Sequence, residues 1–483
     1  MFFSTLFVTL CVAVPNSPQD IVFPEYVFTP PLASDYKTTI LDGIPVFIVE
    51  DRELPLVNMV ATFRGGKYQD GGSSTGLSEM MASLVRSGGT DSLSAEEVDE
   101  QFAFLAANAS VNGGGTVVTA TLNSLSSNFE ESLDLFLDML QNPKFQESRI
   151  VLQRDGLAES MKQRNDFPSG ILSRENRTIL FGDSYVGRNI TQDSIASITA
   201  DDLRVSHKNI VNPRNMIIAI SGDFDRDEVL ALLSTKLQGW EFGYSSSSPP
   251  AVASSYTPGI YYVDQDVPQG GVRISCRTFK QGDPDDEAAE VMNYILGGGG
   301  FSSRITQKVR SGEGLAYSVG SRFSAGAWSD GVWAAGFESK NPTVALAAKL
   351  IFDEVSRIKT ELVSDDDLAL AKSALIEQFP SSFQSKAGTL GVFVTDELQE
   401  RDSGYWTTYR DKIRAVTKED VMRVANRILV PEEMAVVVVG DWGVIVSGDA
   451  DGRATMVDIQ EIVGGSSVAL PLRDPLTLEV VGE

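Results

Sequence analysis

The chain has 483 residues, of which 42% are hydrophobic and 8% aromatic, a composition typical of a globular protein with more than one core. Its formal net charge of −26 disfavours nucleic acid and anionic membranes as partners, because both present negative phosphates. A single histidine, His207, and two cysteines, Cys11 and Cys276, exclude a zinc site made of four Cys/His ligands or of a His-x-x-Glu-His helix within this chain. His207 falls at a predicted helix end, where an exposed side chain is expected rather than a member of a catalytic triad.

The N-terminus begins with a short apolar segment. Residues 1–14 have the length of a signal-peptide core and are too few to cross a membrane as a helix. We therefore predict a signal peptide over residues 1–20 and export of the mature chain to the bacterial periplasm or cell envelope. No basic residue precedes the apolar run and no clear cleavage site follows it, so a misassigned start or a disordered terminus is the alternative. Loss of Cys11 with the leader would leave Cys276 without a disulfide partner.

Strands and amphipathic helices are predicted in both halves of the remaining chain. The predicted strands are "IPVFIVE", "VNMVATF" and "VVTATL" in the first half and "IYYVD", "VRISCRTF" and "GVWAAGF" in the second. Because strands and helices do not alternate strictly, we predict the α+β class, with two homologous domains whose mainly antiparallel sheets carry helices on one face. A Ser/Pro-rich stretch divides the chain into domains at 21–242 and 259–462, a linker at 243–258 and a tail at 463–483.

An internal repeat connects the two halves. The segment "ITADDLRVSHKNIVNPRNMIIAISGDF" aligns without a gap with "VTKEDVMRVANRILVPEEMAVVVVGDW", which lies 218 residues later. Each copy predicts a helix that begins at Thr-x-x-Asp, a turn at proline and a buried strand that ends in Gly-Asp. A second register, of 211 residues, aligns the helical stripe of residues 77–85 with that of residues 288–296. The duplication predicts two copies of one folding unit.

Four consecutive glycines, Gly297, Gly298, Gly299 and Gly300, follow the second of these helices. The run lacks the Gly-Lys-Ser/Thr ending of a phosphate-binding loop and the spaced glycines of a dinucleotide loop, so neither site is predicted. In the 211-residue register the pair at residues 88–89 aligns with residues 299–300. A structural role at the end of a helix is therefore one interpretation of the run.

Several segments together resemble landmarks of the pitrilysin or insulinase-like zinc metallopeptidases, especially their processing-peptidase branch. They are "LDGIPVFIVEDRELPLVNMVATFRGGKYQD", "GLSEMMASLVRSGGT", "ITADDLRVSHKNIVNPRNMIIAISGDFD" and "FSSRITQKVRSGEGLAYSVGSRF". The resemblance extends from about Tyr26 to Gly443 and implies two duplicated α+β halves that face each other like a clamshell around a chamber. The internal repeat independently supports the duplication.

The chain departs from this family where zinc is bound. Active members carry Gly-Leu-x-His-x-x-Glu-His, and this chain has Gly-Leu-Ser-Glu-Met-Met-Ala-Ser at residues 76–83. Glu79 and Ser83 stand at the two histidine positions, Ala82 at the catalytic glutamate, and Glu159 at the third ligand position. Zinc peptidases need neutral imidazoles to hold the metal and a base to deprotonate its water. No metal site is therefore predicted in this chain, and Glu79 and Glu159 are interpreted as solvated helix residues.

The second functional element of the family is retained. Arg310 and Tyr317 have the seven-residue spacing of an arginine–tyrosine pair that contacts substrate near the scissile bond. The resemblance implies that Arg310 holds a substrate carbonyl or carboxylate and that Tyr317 donates to the developing oxyanion. A surface arginine and a packed tyrosine are the alternative. The run from Gly297 to Gly300 resembles the substrate-contacting glycine-rich loop of the non-catalytic subunit in two-subunit processing peptidases.

Together these features predict a non-catalytic, substrate-binding subunit of a heteromeric zinc metallopeptidase that acts on peptides or unfolded polypeptides. Zinc is expected in a homologous partner subunit with an intact His-x-x-Glu-His, and this chain is expected to be inactive alone. No nucleic-acid partner, and no membrane span after leader removal, is expected. The alternative is a catalytically dead scaffold or assembly protein of the same fold, like the core subunits of respiratory complexes. A free-standing zinc peptidase is opposed by the single histidine.

Overall fold

The structure, a computed structural model, describes residues 28–253 and 255–481. The predicted signal peptide lies outside the described residues. The described strands form two six-stranded sheets. They are β1 (Lys37–Ile40), β2 (Ile44–Glu50), β3 (Leu56–Arg64), β4 (Asn108–Gly113), β5 (Val117–Leu125), β6 (Met216–Gly222), β7 (Gly259–Asp264), β8 (Gln269–Arg277), β9 (Val319–Ser324), β10 (Val332–Lys340), β11 (Ala435–Gly440) and β12 (Ser467–Ala469).

The helices of the first half are distributed along the chain between and after the strands of the first sheet. They are α1 (Ala33–Tyr36), α2 (Leu77–Ser87), α3 (Ala95–Phe104), α4 (Phe129–Gln141), α5 (Glu147–Lys162), α6 (Pro168–Phe181), α7 (Gln192–Ala196), α8 (Ala200–Ile210) and α9 (Arg226–Leu237). Those of the second half are α10 (Asp286–Asn293), α11 (Val344–Thr360), α12 (Asp365–Gln378), α13 (Lys386–Gln399), α14 (Tyr405–Ala415), α15 (Lys418–Ile428), α16 (Trp442–Ser447) and α17 (Met456–Val463).

The two sheets have equivalent strand orders. The first is β1-β2-β6-β3-β5-β4 and the second is β12-β7-β11-β8-β10-β9. Strand β2 is parallel to β6, and β7 is parallel to β11 and β12, whereas the other neighbours are antiparallel. Strands β1 and β12 lie at the same edge of their respective sheets. In the chain, β1 comes before the other strands of its sheet, whereas β12 comes after the other strands of its sheet. The segment at 463–483, predicted as a tail, thus supplies a strand to the second sheet.

The repeat noted in the sequence appears as matching local structure. The hydroxyls of Thr199 and Thr417 accept hydrogen bonds from the backbone N–H of Asp202 and Asp420, at 3.2 and 3.1 Å, and so begin α8 and α15 as predicted. Each helix leads into a strand, β6 or β11, in which every residue is buried. Strands that are apolar throughout are typical of sheets covered on both faces.

The second face of each sheet is covered by a helix from the other half. Helix α6 packs on β8 and β11, and α13 packs on β2, β3 and β6. Leu172 of α6 shares a buried cluster with Val437, and Phe393 of α13 shares one with Ile217. The two helices are equivalent, because α6 shifted by the 218-residue register coincides with α13. The sequence predicted helices on one face of each sheet. The second face is also covered, because α6 packs on the sheet of the second half and α13 packs on the sheet of the first half. This exchange of α6 and α13 joins the two halves.

The segment that connects the halves contains neither helix nor strand among its described residues, but it is held against the first half. The hydroxyl of Tyr68 donates to the carbonyl of Ser247 (2.7 Å), and the backbone N–H of Ser246 donates to the amide oxygen of Asn215 (2.7 Å). Over residues 28–253 and 255–481, no helix combines the length and the apolar character needed to cross a membrane.

Candidate functional site

Helix α2 carries three of the four positions at which the resembled family binds or uses zinc. Its N-terminus is held by Asp70, whose carboxylate accepts hydrogen bonds from the backbone N–H of Gly76 and Ser78, both at 3.1 Å, and from the Ser78 hydroxyl at 3.2 Å. Burial raises the pKa of Asp70 to about 6, against the effect of these hydrogen bonds. The helix that would present a zinc motif is therefore firmly positioned.

The side chains at the zinc positions differ in exposure and in partners. Glu79 is exposed, Ala82 is fully buried in the core, and Ser83 is half-buried. Glu159 of α5 is exposed and pairs with Lys162, with 2.8 Å between the carboxylate oxygen and Nζ. Over the described part of the chain, no three His, Cys, Asp or Glu side chains gather where they could hold a metal ion.

Cationic side chains lie around Glu79. Burial lowers the pKa of Lys67, Arg177 lowers it further, and Glu79 acts in the opposite direction. Burial likewise lowers the pKa of Arg164, and Glu79 again opposes the change. The Nζ of Lys67 donates to the carbonyl of Arg188 at 2.6 Å. Lys67 and Arg164 therefore place positive charge near Glu79, which disfavours a metal cation at that side chain.

His207, which we expected to be exposed, is partly buried. Its Nε2 lies 2.8 Å from the carbonyl oxygen of Leu140, and its ring lies 6.0 Å from that of Phe145. Burial lowers the pKa of His207 to about 4, against the favourable effect of the Leu140 carbonyl. The expectation was wrong because the end of α4 at Leu140 and the ring of Phe145 lie against the imidazole.

The predicted arginine–tyrosine pair meets in space, and a phenylalanine joins it. Arg310 lies on a π-helical turn, Thr306–Gly312, and its guanidinium carbon is 4.6 Å from the ring centroid of Tyr317 and 4.5 Å from that of Phe301. Tyr317 is 85% exposed and Phe301 is 69% exposed. We call Phe301, Arg310 and Tyr317 the arginine–aromatic cluster. Sequence reasoning missed Phe301, although it directly follows the glycine run.

The donors of Arg310 are not used by a carboxylate in the described part of the chain. Arg304, six residues earlier, contrasts with it, because its guanidinium pairs with Asp367 at 2.9 Å. Arg310 instead rests on two aromatic faces, which attract a cation but accept no in-plane hydrogen bond. Its planar N–H groups are therefore available to an oxygen ligand.

Tyr317 also borders a groove of about 800 Å³. The groove is lined by Ser318 next to it and by residues of β8 and β10, among them Gln269, Glu338 and Lys340. Strand β9 begins at Val319, which pairs with Phe337, so β9 does not cover the end of β10 that borders the groove. Tyr317 thus connects the arginine–aromatic cluster to the wall of an open, polar groove.

The four glycines occupy different surroundings. Gly297 is buried, and a Cβ there would lie 2.4 Å from Oγ and 2.6 Å from the backbone N of Ser321. Gly298, Gly299 and Gly300 border a second cavity, of about 450 Å³, which shares no lining residue with the Tyr317 groove. Gly300 has a φ of +59° and open space at its Cβ position, so it makes a left-handed turn immediately before Phe301.

Glu290 on α10 lines this second cavity and is the 211-residue counterpart of Glu79. It is partly buried and accepts a hydrogen bond from the hydroxyl of Tyr409 at 2.7 Å. Burial raises the pKa of Glu290 to about 7, and the neighbouring Asp286 and Glu287 add to the effect. Burial also raises the pKa of Asp286 to about 6. The repeat register could have pointed to Glu290, but it carries no information on burial.

The chain is similar to known proteins in sequence and in fold. The family profile described as "Peptidase M16 inactive domain" matches residues 197–375. An uncharacterized zinc protease of Mycobacterium leprae is 31% identical over 200 residues, 40% of this chain and 45% of that protein. The non-peptidase homolog YmxG of Helicobacter pylori is 25% identical over a region that covers 67% of this chain and 76% of the YmxG chain. The crystal structure of a peptidase M16 inactive domain from Pseudomonas fluorescens superposes with a TM-score of 0.75 at 23% identity, covering 84% of this chain and 97% of that one.

Proposed function

We propose that this chain, which belongs to the M16 (pitrilysin or insulinase-like) peptidases as a catalytically inactive member, is the substrate-binding subunit of a heteromeric zinc peptidase. Its substrates are peptides or unfolded polypeptides. A homologous subunit with an intact His-x-x-Glu-His supplies the zinc. We further propose that the complex works in the periplasm or cell envelope; the apolar composition of residues 1–14, which is typical of a signal-peptide core, supports this part of the proposal.

The observation that carries the proposal is the different fate of two functional elements. At the zinc positions, Ala82 is buried, Glu159 is paired with Lys162, and Glu79 lies beside cations. Arg310 and Tyr317, in contrast, are in mutual contact, Arg310 has no carboxylate partner among the described residues, and Tyr317 borders an open groove. A chain kept only as a scaffold has no need of an exposed tyrosine stacked on an arginine without a carboxylate partner.

The chemistry assigned to the pair follows from its donors. The guanidinium of Arg310 holds a substrate carbonyl or carboxylate through N–H groups that no carboxylate of the described residues occupies. The hydroxyl of Tyr317 donates a hydrogen bond to the oxyanion that forms when the partner's activated water attacks the peptide bond. Both groups are useful only where a metal-bearing subunit presents its site to the same segment of substrate.

The proposal is tested on the complex reconstituted with the His-x-x-Glu-His homologue of the same organism. Tyr317→Phe removes one oxyanion donor and should lower kcat by about 10²-fold, as in other oxyanion holes. Arg310→Ala should lower kcat/KM by a comparable factor through lost orientation. The measurement is cleavage of reduced, carboxymethylated lactalbumin, with association followed by size-exclusion chromatography.

Two matched variants control for nonspecific effects. Tyr244→Phe removes a hydroxyl from another exposed tyrosine, and Lys308→Ala removes a positive charge from the same π-helical turn as Arg310. Both should leave cleavage unchanged. This chain alone should bind far less than one zinc per chain and cleave nothing. Unchanged kcat and KM in Tyr317→Phe and Arg310→Ala, with the complex intact, would leave the scaffold function instead.

A further inference from the structure

We infer that Phe301 is a positioning residue for substrate binding: together with Tyr317 it holds the Arg310 guanidinium in the orientation that meets the substrate. The inference rests on the proposed function for the role of Arg310. It also assigns a purpose to the glycine run that differs from direct contact with substrate.

The first step concerns the contact itself. The guanidinium carbon of Arg310 is equally close to the rings of Phe301 and Tyr317, 4.5 and 4.6 Å from their centroids. These distances are within the range of favourable cation–π contacts, which are worth about 0.5–1 kcal/mol at exposed sites. An arginine side chain has several rotatable bonds, and two aromatic faces restrict it before any substrate arrives.

The second step concerns the exposure of Phe301. A phenylalanine that is 69% exposed gains little from burial, and Arg310 is the partner that its ring contacts. Phe301 is therefore not a core residue. Its ring contributes to the fold mainly by contacting Arg310, and its loss should leave the stability of the chain nearly unchanged.

The third step concerns the glycines. Gly297 packs without space for a side chain against Ser321, and Gly300 has a left-handed backbone with open space around it. The tight approach at Gly297 and the turn at Gly300 bring the chain out of α10 so that the next side chain, Phe301, lies against the π-helical turn of Arg310. The glycine run thus acts on the substrate through Phe301 and Arg310.

The test compares three replacements of Phe301 in the reconstituted peptidase. Phe301→Tyr keeps an aromatic face, Phe301→Leu keeps apolar bulk without one, and Phe301→Ala removes both. We expect Phe301→Ala and Phe301→Leu to lower kcat roughly 2- to 5-fold, the equivalent of one exposed cation–π contact, and Phe301→Tyr to retain wild-type kcat. Phe104→Ala, at a phenylalanine that is 88% exposed, is the matched control and should change nothing.

A double-mutant cycle separates positioning from direct contact. In an Arg310→Ala background, Phe301→Ala should cause no further loss, because the residue it positions is gone. If Phe301 contacts substrate by itself, the two losses multiply and KM rises, and the positioning role is wrong. A loss in Phe301→Leu as small as in Phe301→Tyr would also contradict an aromatic role.

A readout on this chain alone keeps the inference separate from the proposed function. In spectra of arginine-labelled protein, the Nε–H signal that Arg310→Lys removes should be shifted upfield by the two rings and should move downfield in Phe301→Ala. If it does not move, the contact is wrong whatever the peptidase assay shows. If the Nε–H signal moves but Arg310→Ala leaves cleavage unchanged, the contact between Phe301 and Arg310 exists but the proposed function of Arg310 is wrong. Phe301 then has no role in substrate binding.

Discussion

Helices α2 and α10 occupy equivalent places in the two halves, and each carries a glutamate at the same position. Glu79 of α2 is exposed beside Lys67 and Arg164, whereas Glu290 of α10 is partly buried, accepts the Tyr409 hydroxyl and borders a cavity. The two helices are equivalent in the repeat, but the elements packed around them differ. Equivalent positions in a repeat therefore share a fold without sharing electrostatics.

The last turn of α2 and its counterpart after α10 diverge as well. In the 211-residue register Arg86 corresponds to Gly297 and Ser87 to Gly298. Arg86 is accommodated, with its guanidinium 2.7 Å from the carboxylate of Asp99. Gly297 lies directly against Ser321 of β9 and has no space for a methyl group. The second half thus uses glycine where the first half uses a long side chain.

The largest expected effect on stability tests this difference. Gly297→Ala should lower the free energy of unfolding by about 3 kcal/mol, because its Cβ would overlap the Ser321 backbone and strand β9 would have to shift. Gly300→Ala should cost only about 1 kcal/mol, the strain of a left-handed backbone in open space. Urea unfolding of the full chain, followed by circular dichroism, measures both. Equal losses would mean that the close approach at Gly297 is absent in solution.

A smaller effect is expected from the two glutamates. The raised pKa of Glu290 means that the folded chain keeps this proton up to about pH 7, whereas the unfolded chain releases it near pH 4.5. Its contribution to stability is therefore lost as the pH rises through this window. Glu290→Gln should raise the free energy of unfolding by about 2 kcal/mol at pH 8 and by little at pH 4.5.

Glu79→Gln is the matched comparison for Glu290→Gln. Glu79 is exposed, so its replacement should change the unfolding free energy by less than about 0.5 kcal/mol at both pH values. The groups that face Glu290, namely Asp286, Glu287, Arg401 and Tyr409, are unchanged in both variants. A gain at pH 8 that is equal for the two variants would refute the difference in burial.

The smallest effect concerns His207, whose counterpart in the 218-residue register is the buried Ala425. In the folded chain the pKa of His207 is lowered from 6.5 to about 4. As the pH falls below 6.5, the unfolded chain therefore binds a proton on His207 that the folded chain does not, and the free energy of unfolding decreases. His207→Gln should remove about 1 kcal/mol of the loss between pH 7 and pH 5. The measurement is the urea midpoint at the two pH values, and an unchanged pH dependence would show that His207 is solvated.

The fold was largely predictable from local patterns. The Thr-x-x-Asp starts of α8 and α15 and the apolar strands β6 and β11 are encoded within a few residues, so each appears where it was expected. The spacing of Arg310 and Tyr317 suggested a pair, and the two side chains do touch. Phe301 was missed, because the turn that brings it to Arg310 depends on the backbone of Gly300 and on a π-helical turn.

The sequence by itself determined the duplication, the two sheets with their helices, and the absence of a His-x-x-Glu-His motif, since each depends on residue identity or on short-range periodicity. Only the tertiary structure decided that α6 and α13 exchange between the halves and that Glu290 lies beside Tyr409, 119 residues away. Hydrophobic periodicity states that a helix has an apolar face but does not state which sheet will cover it. Burial and pKa depend on all the elements that meet at a point, and these are brought together only when the chain is folded.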